Sequence, residues 1–317
     1  MQRITIARSA GDIASLRSVW ERLPGPTVFQ TYAWNSTVAQ VLGDRESPNV
    51  ICVEDDNGTA LIPAAINGDR RLTLIGESLA DYRDVLVAGD GIAADVAWSE
   101  AARVGLQFSS GALRGDGDLS RWQGFQLHSF YGAPLVSRSE MSADRFIEQH
   151  NRLGRWRRRL ERDGAAFRCS DGSNSALVRR IYEDKGGQPA DAGDSLFSDP
   201  VRVEFMVQAC AALGPACEIF TIESAGTLIA SLVTFREPSV RRFYTIQFHQ
   251  SWAKYSPGMV LIHQVTHASL RDGLDCDYMT GEQAYKMRFA TSVVPMYWME
   301  ASAEALVSLG SRHALAA

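Results

Sequence analysis

Gly58-Thr59-Ala60-Leu61-Ile62 returns, 168 residues later, as Gly226-Thr227-Leu228-Ile229-Ala230. Before the first copy stand the apolar, β-branched run Val50–Glu54 and the turn Asp55-Asp56-Asn57-Gly58. Strand, Asn-Gly turn and strand 59–66 are the signature of a hairpin. Before the second copy stand 218–223 and Ser224-Ala225-Gly226, which predict the same hairpin running on to Phe235. Working outward, Arg70-Arg71-Leu72-Thr73-Leu74-Ile75 and Arg241-Arg242-Phe243-Tyr244-Thr245-Ile246 each predict a third strand. A helix follows in each copy, over 93–103 and 257–271, with a stopping glycine at Gly105 or Gly273, again 168 apart. Short strands close the copies at 106–109 and 274–280. Four matches in order, in near-constant register, predict two copies of one β-β-β-α-β unit.

The rest of the chain bounds what those units do. Its 317 residues are 45% apolar and 22% charged, enough for full cores without staples. A net charge of −5 argues against a surface built wholly for polyanions. No run of apolar residues is long enough to insert in a membrane, and the first residues lack the apolar stretch of a signal peptide. Five cysteines without a Cys-x-x-Cys predict buried thiols in a reducing cytoplasm. His263 and His267 have metal-chelating spacing, but no third ligand stands near them, so no metal is expected.

Between the copies, Ser142-Ala143-Asp144 reads as a helix start. Phe146, Leu153 and Leu160 make an apolar line, and Gly164 ends the helix. Arg152, Arg155, Arg157, Arg158, Arg159 and Arg162 decorate it, either as a solvated face or as a stripe for phosphate. Helices over 175–185 and 200–213 follow. This gives domains at 1–141 and 164–317 joined by the helix 142–163, with the weakly patterned end from Ala305 expected to fray.

The chemistry concentrates in 255–289. P-loop, dinucleotide, zincin and nucleophile-elbow motifs do not occur. Ser256-Pro257-Gly258 reads as a capped helix start, with the N–H groups of Gly258, Met259 and Val260 offered to a pyrophosphate or else simply capped. Past this helix, Gly281-Glu282-Gln283-Ala284-Tyr285-Lys286 places Glu282, Tyr285 and Lys286 at the end of a strand. Tyrosine there suits a leaving group's proton, glutamate accepts one, and lysine holds a phosphate or carboxylate.

Taken together, Phe29-Gln30-Thr31-Tyr32-Ala33-Trp34, Asp81-Tyr82-Arg83-Asp84-Val85-Leu86, Lys185-Gly186-Gly187-Gln188, Tyr255-Ser256-Pro257-Gly258 and Gly281–Lys286 resemble the GNAT acyltransferase superfamily. The likeness is to its CelD-like branch, similar in layout to the Fem peptidyltransferases. It implies an α/β (α+β type) fold of tandem GNAT-like domains, each a mixed, mostly antiparallel sheet flanked by helices. It implies a donor site for acetyl-CoA or another short acyl-CoA on the C-terminal copy, with Phe248, Lys254, Ser256, Gly258, Met259 and Val260 on the donor. Backbone N–H groups near Phe248 would polarise the thioester, Tyr285 would be the acid, and Glu282 or Asp84 the base. The acceptor is expected to be an amino or hydroxyl group of a saccharide or cell-envelope precursor, met by Tyr32, Trp34, Asp81, Tyr82, Arg155, Arg158, Lys185, Gln188 and Lys286. The N-terminal copy has Gly89-Asp90-Gly91-Ile92 where the other has Ser-Pro-Gly, and is expected to bind no CoA. Two alternatives stand beside this one. A Fem-like transferase would take its acyl group from aminoacyl-tRNA, the one case in which nucleic acid is a partner. A non-catalytic module would keep only the fold.

Overall fold

The computed structural model describes residues 2–76, 79–89, 91–187 and 196–314. It comprises two units, Met1–Tyr131 with Val294–Ala317, and Gly132–Val293. The first supplies β1 (Arg3–Ala7), α1 (Ala10–Ser15), α2 (Arg17–Trp20), α3 (Tyr32–Val41), β2 (Ser47–Pro48), β3 (Val50–Glu54), β4 (Gly58–Ile62), β5 (Ala64–Ile66), β6 (Leu72–Leu74), β7 (Leu86–Gly89), α4 (Ile92–Ala101), β8 (Phe108–Arg114) and β9 (Gln126–Ser129). The second supplies β10 (Ala133–Val136), α5 (Ala143–Gln149), α6 (Asn151–Arg162), β11 (Ala166–Asp171), α7 (Ser175–Gly186), α8 (Pro200–Leu213), β12 (Cys217–Ser224), β13 (Thr227–Arg236), β14 (Val240–Phe248), α9 (Pro257–Arg271), β15 (Asp275–Asp277), α10 (Ala284–Met287) and β16 (Ser292–Val294). The chain then returns to the first unit as β17 (Met296–Ala301) and α11 (Ala303–Ala314).

Local chemistry accounts for most of these boundaries. Asp55 Oδ1 accepts the N–H groups of Asn57 and Gly58, tightening the turn that lays β3 antiparallel on β4. Gly105 and Gly273 take the left-handed conformation, φ 71° and 73°, that stops a helix. Ser142 Oγ accepts the Arg145 N–H and starts α5. The single helix expected from Ser142 is two helices, because His150 (φ −114°, ψ 27°) leaves helical geometry. Its ring packs on Phe146 and Phe289 there. The apolar line holds across the break, and Phe146, Leu153 and Leu160 are all buried.

Both sheets follow one order. In the second unit it is β11-β12-β13-β14-β15-β10-β16. In the first it is shared by two sheets, β1-β3-β4-β7 and, past Pro63, β2-β5-β6-β8-β17-β9. Proline donates no ladder hydrogen bond, and the sheet divides there into a four-stranded and a six-stranded part. Thus β3, β4 with β5, β6 and β8 correspond to β12, β13, β14 and β15. The parallel pair β6/β8 answers the parallel pair β14/β15. The sixth place is filled out of order in both: β17, from the end of the chain, lies between β8 and β9, and β10, from ahead of the second repeat, lies between β15 and β16.

This exchange moves the expected domain boundaries. The helices of 142–163 belong to the second unit, where α5 and α6 pack on α9. Residues 294–317 belong to the first, because β17 pairs with β8 and β9. The expected frayed end is α11, whose Leu306 and Leu309 are buried in that unit's core.

Candidate functional site

The second unit's sheet opens in the middle. β14 and β15 are in register only where Val240–Arg242 face Asp275–Asp277. Two features then part them. A bulge at Tyr244, between the pairs Val233↔Thr245 and Thr234↔Phe243, bends β14. Asp277 Oδ1 accepts the Met279 N–H, Met279 turns left-handed (φ 64°), and the Tyr278 N–H donates to the Pro134 carbonyl of β10. β15 therefore leans to β10 while 243–248 stay on β13. At the fork, Arg242 donates to the buried Asp277 carboxylate and to Glu237.

The start of α9 lies against the far end of β14. A Cβ at Gly258 would stand 3.5 Å from the Phe248 ring and 3.6 Å from Ile246. Ser256 is not the cap expected of it. It is left-handed (φ 50°, ψ 51°), and its hydroxyl makes no capping bond. Its carbonyl accepts the Val260 N–H instead, so that group is not available to a ligand, and the Val260 side chain is core. Pro257 has no N–H. The first turn thus offers the N–H groups of Gly258 and Met259, which have no acceptor among the described residues. With the helix dipole they form an anion seat. Ile246, Phe248, Met259 and Tyr285 are half-buried side chains on one apolar core.

The remaining predicted side chains of this unit divide. Lys185, from the end of α7, donates to the Ile246 carbonyl at 3.2 Å, and burial lowers its pKa. Glu282 is exposed, with Oε1 accepting the Gly132 N–H at 2.9 Å. Lys286 is not the open anion contact expected of it. It is buried, and its ammonium donates to the carbonyls of Met279 and Thr280, which steadies the left-handed turn. Lys254 is exposed, 4.8 Å from the centre of the Tyr255 ring. Arg155 and Arg158 are exposed on α6. Gln188 and Asp90 lie outside the described residues.

The acceptor residues expected in the first unit are largely interior. Trp34 is fully buried, Tyr82 is 1% exposed, and Phe29 packs edge-on against both. Both side chains pack the interior of that unit. Arg114 covers the Tyr82 ring at 4.6 Å. Asp84 Oδ1 accepts the N–H groups of Val85 and of the Trp122 indole. Burial raises its pKa to about 6, the Val85 and Trp122 hydrogen bonds opposing that rise. Tyr32, half-buried, lies under Arg17, and Asp81 is half-buried. No local pattern marks the Tyr244 bulge or the Arg242–Asp277 pair. Arg242 was visible in the third-strand motif, but nothing local marks a buried charge.

A sheet forked beside the amide-bearing start of a helix agrees with the comparison by sequence. Residues 148–287 match the family described as acetyltransferase (GNAT) domain. That match lies within the second unit. No curated protein matches the chain by sequence. By structure, the tandem GNAT-like chain is similar to a C-terminal domain assigned to a lysylphosphatidylglycerol synthetase of Agrobacterium fabrum (TM-score 0.61, 13% identity, 95% of each chain covered). It is similar to FemX (TM-score 0.58, 9% identity, 97% of this chain and 99% of the other). It is also similar to a tandem GNAT protein from the clavulanic acid biosynthesis pathway (TM-score 0.54, 10% identity, 96% and 99%). At such identities the likeness is one of fold. No described helix is long and apolar enough to cross a membrane.

Proposed function

We propose that this protein is an acyltransferase whose GNAT unit takes an acetyl or short acyl group from acyl-CoA. The acceptor is an amino or hydroxyl group of a saccharide or cell-envelope precursor in the cytoplasm, as in the CelD-like branch it resembles. The observation that carries the reading is the pair of unpartnered N–H groups at Gly258 and Met259, set beside the opened edge of β14. The donor's pyrophosphate sits on that pair. Its pantetheine arm runs into the fork, where backbone N–H groups of 243–248 polarise the thioester carbonyl. The acceptor attacks that carbonyl, the C–S bond breaks, and Tyr285 protonates the departing thiolate. Glu282, with Oε1 held by Gly132, receives the acceptor's proton on its other oxygen.

A second reading has support of its own. FemX is among the structural neighbours, and exposed arginines crowd α6. A Fem-like transfer from aminoacyl-tRNA would use that basic helix, with binding that falls steeply as salt rises.

Calorimetry with acetyl-CoA tests the first reading. At a hundredfold excess over Kd, a bound donor stabilises the fold by about 2.7 kcal/mol. Gly258→Asp puts a repelling charge on one of the two residues whose N–H groups form the seat. Because Gly258 is buried, Gly258→Ala serves as the control that separates a lost anion seat from a disturbed fold. The Asp variant is expected to stay folded by circular dichroism and to lose binding at least about tenfold, 1.4 kcal/mol. A folded variant with unchanged affinity, or a wild-type protein indifferent to acetyl-CoA, would overturn the reading.

A further inference from the structure

α6 and the approach to α9 together form a surface that the acyl-transfer reading leaves unused. Arg152, Arg155, Arg159 and Arg162 fall on one helical stripe and line a shallow depression with Trp156. None of the four has a carboxylate partner among the described residues, whereas Arg157, turned elsewhere, pairs with Glu161 and reaches Gln264. The floor of the stripe is aromatic. Arg159 stacks 5.5 Å from the centre of the Trp156 ring, and Trp156 meets Tyr255 edge-on at 6.1 Å. Tyr255 lies at 5.7 Å from Trp252 and donates from its hydroxyl to Asp163 at the end of α6. Tyr255 is also the residue just before Ser256-Pro257-Gly258, so the ledge borders the two free N–H groups.

Flat rings faced by guanidinium groups suit a nucleobase, and a row of unpaired arginines suits a phosphate that carries more than one charge. Backbone N–H groups at one end suit a second phosphate group. We infer that the ledge of Trp156 and Tyr255 holds the adenine of the donor coenzyme and that Arg155 and Arg159 bind its 3′-phosphate. This rests on the acyl-CoA reading and adds the feature that tells a 3′-phosphorylated donor from one without that phosphate. Arg158, which borders a separate depression with Arg155, Glu161 and Arg162, lies off the ledge.

Calorimetry compares CoA with 3′-dephospho-CoA on wild type, on Arg155→Gln/Arg159→Gln and on Arg158→Gln. Wild type is expected to prefer CoA about tenfold, 1.4 kcal/mol. The double variant is expected to lose most of that preference while binding 3′-dephospho-CoA as wild type does, and Arg158→Gln to keep it. The preference weakens with added salt, as interactions between exposed charges do. Equal wild-type binding of the two ligands would overturn the inference and leave the α9 donor site standing. So would a preference that survives in the double variant. Binding of neither ligand would overturn both. A short RNA oligonucleotide held by wild type and released by the double variant, without preference for the 3′-phosphate, would assign the stripe to a polynucleotide instead.

Discussion

The two units run the same strands in the same order, and they differ most where the third strand leaves the sheet. In the second unit, β14 is one strand of nine residues interrupted only by the bulge at Tyr244. In the first, the equivalent strand is cut. β6 pairs with β5, the chain leaves the ladder after Leu74, and it re-enters at Leu86 as β7 beside β4. One extra residue in the ladder parts β14 from β15. An excursion of some ten residues fills the place with its own side chains, among them the buried Tyr82, Arg83 and Asp84. The helix starts differ as well: α4 follows a left-handed Gly91 and carries Asp95 in its first turn, whereas α9 has no acid there. A negative charge at that point disfavours phosphate. One topology thus yields a unit whose third strand bulges away from its neighbour and a unit whose third strand is cut.

The parallel seam gives the largest expected contrast. In the second unit it joins Arg242 to Asp277, both buried, and in the first it joins Leu72 to Phe108. Asp277→Ala leaves Arg242 short of a partner and should cost the second unit about 3–5 kcal/mol in urea unfolding. Phe108→Leu should cost the first about 1–1.5 kcal/mol. Replacing Arg242 and Asp277 together by Met and Leu should recover most of the first loss. A cost below about 1 kcal/mol for Asp277→Ala would show that the charged seam contributes no more than an exposed pair.

Acid should act on the two units with opposite sign. Asp84, raised to about 6 by burial, stabilises the first unit fully below its ordinary carboxylate value, and that contribution is lost as pH rises through about 6. His263 is buried and stacked on Phe146, and desolvation lowers its pKa to about 4. Its contribution to the second unit is present above the ordinary imidazole value and is lost as pH falls towards about 4. Each effect reaches up to about 3 kcal/mol. From pH 6.5 to 4.5, hydrogen-exchange protection should fall on β13 and rise on β3. Asp84→Asn keeps the oxygen that Val85 and Trp122 use and should abolish the rise alone; His263→Leu should abolish the fall alone. Parallel behaviour of the two strands would contradict this.

The smallest contrast lies at the two helix starts. Gly91 has φ 88°, so Gly91→Ala should cost about 1 kcal/mol. Gly258 is not left-handed and a Cβ there meets only ordinary contacts, so Gly258→Ala should stay within about 0.5 kcal/mol of wild type. Equal costs in thermal melts would remove the distinction between a glycine that needs its left-handed backbone and one that does not.

What was legible in advance depended on distance along the chain. The hairpin at Asn57-Gly58, the helix Pro257–Arg271, the stops at Gly105 and Gly273 and the buried line Phe146–Leu153–Leu160 each arise from signals within about ten residues, where turn chemistry, capping and periodicity act. The repeat made two such units predictable. Ser256 shows the limit of local reasoning. Its residue type suits a cap, but the preceding turn at Gln250–Tyr255 drives it left-handed and turns its hydroxyl away from the role.

The amino-acid sequence by itself determined the two β-β-β-α-β repeats, their turns and the small residues at the start of α9. Only the tertiary structure decided that β10 and β17 change places in the strand order, that the Tyr244 bulge opens one sheet, and that Asp84 and Lys286 face inward. The Trp298 indole donates to Ser109 across 189 residues of chain, and the Ser137 N–H donates to Thr291 Oγ1 across 154. Such partners are selected by burial and by the satisfaction of backbone groups across whole sheets. Those constraints act on pairs far apart in the chain, and a local pattern carries no record of them.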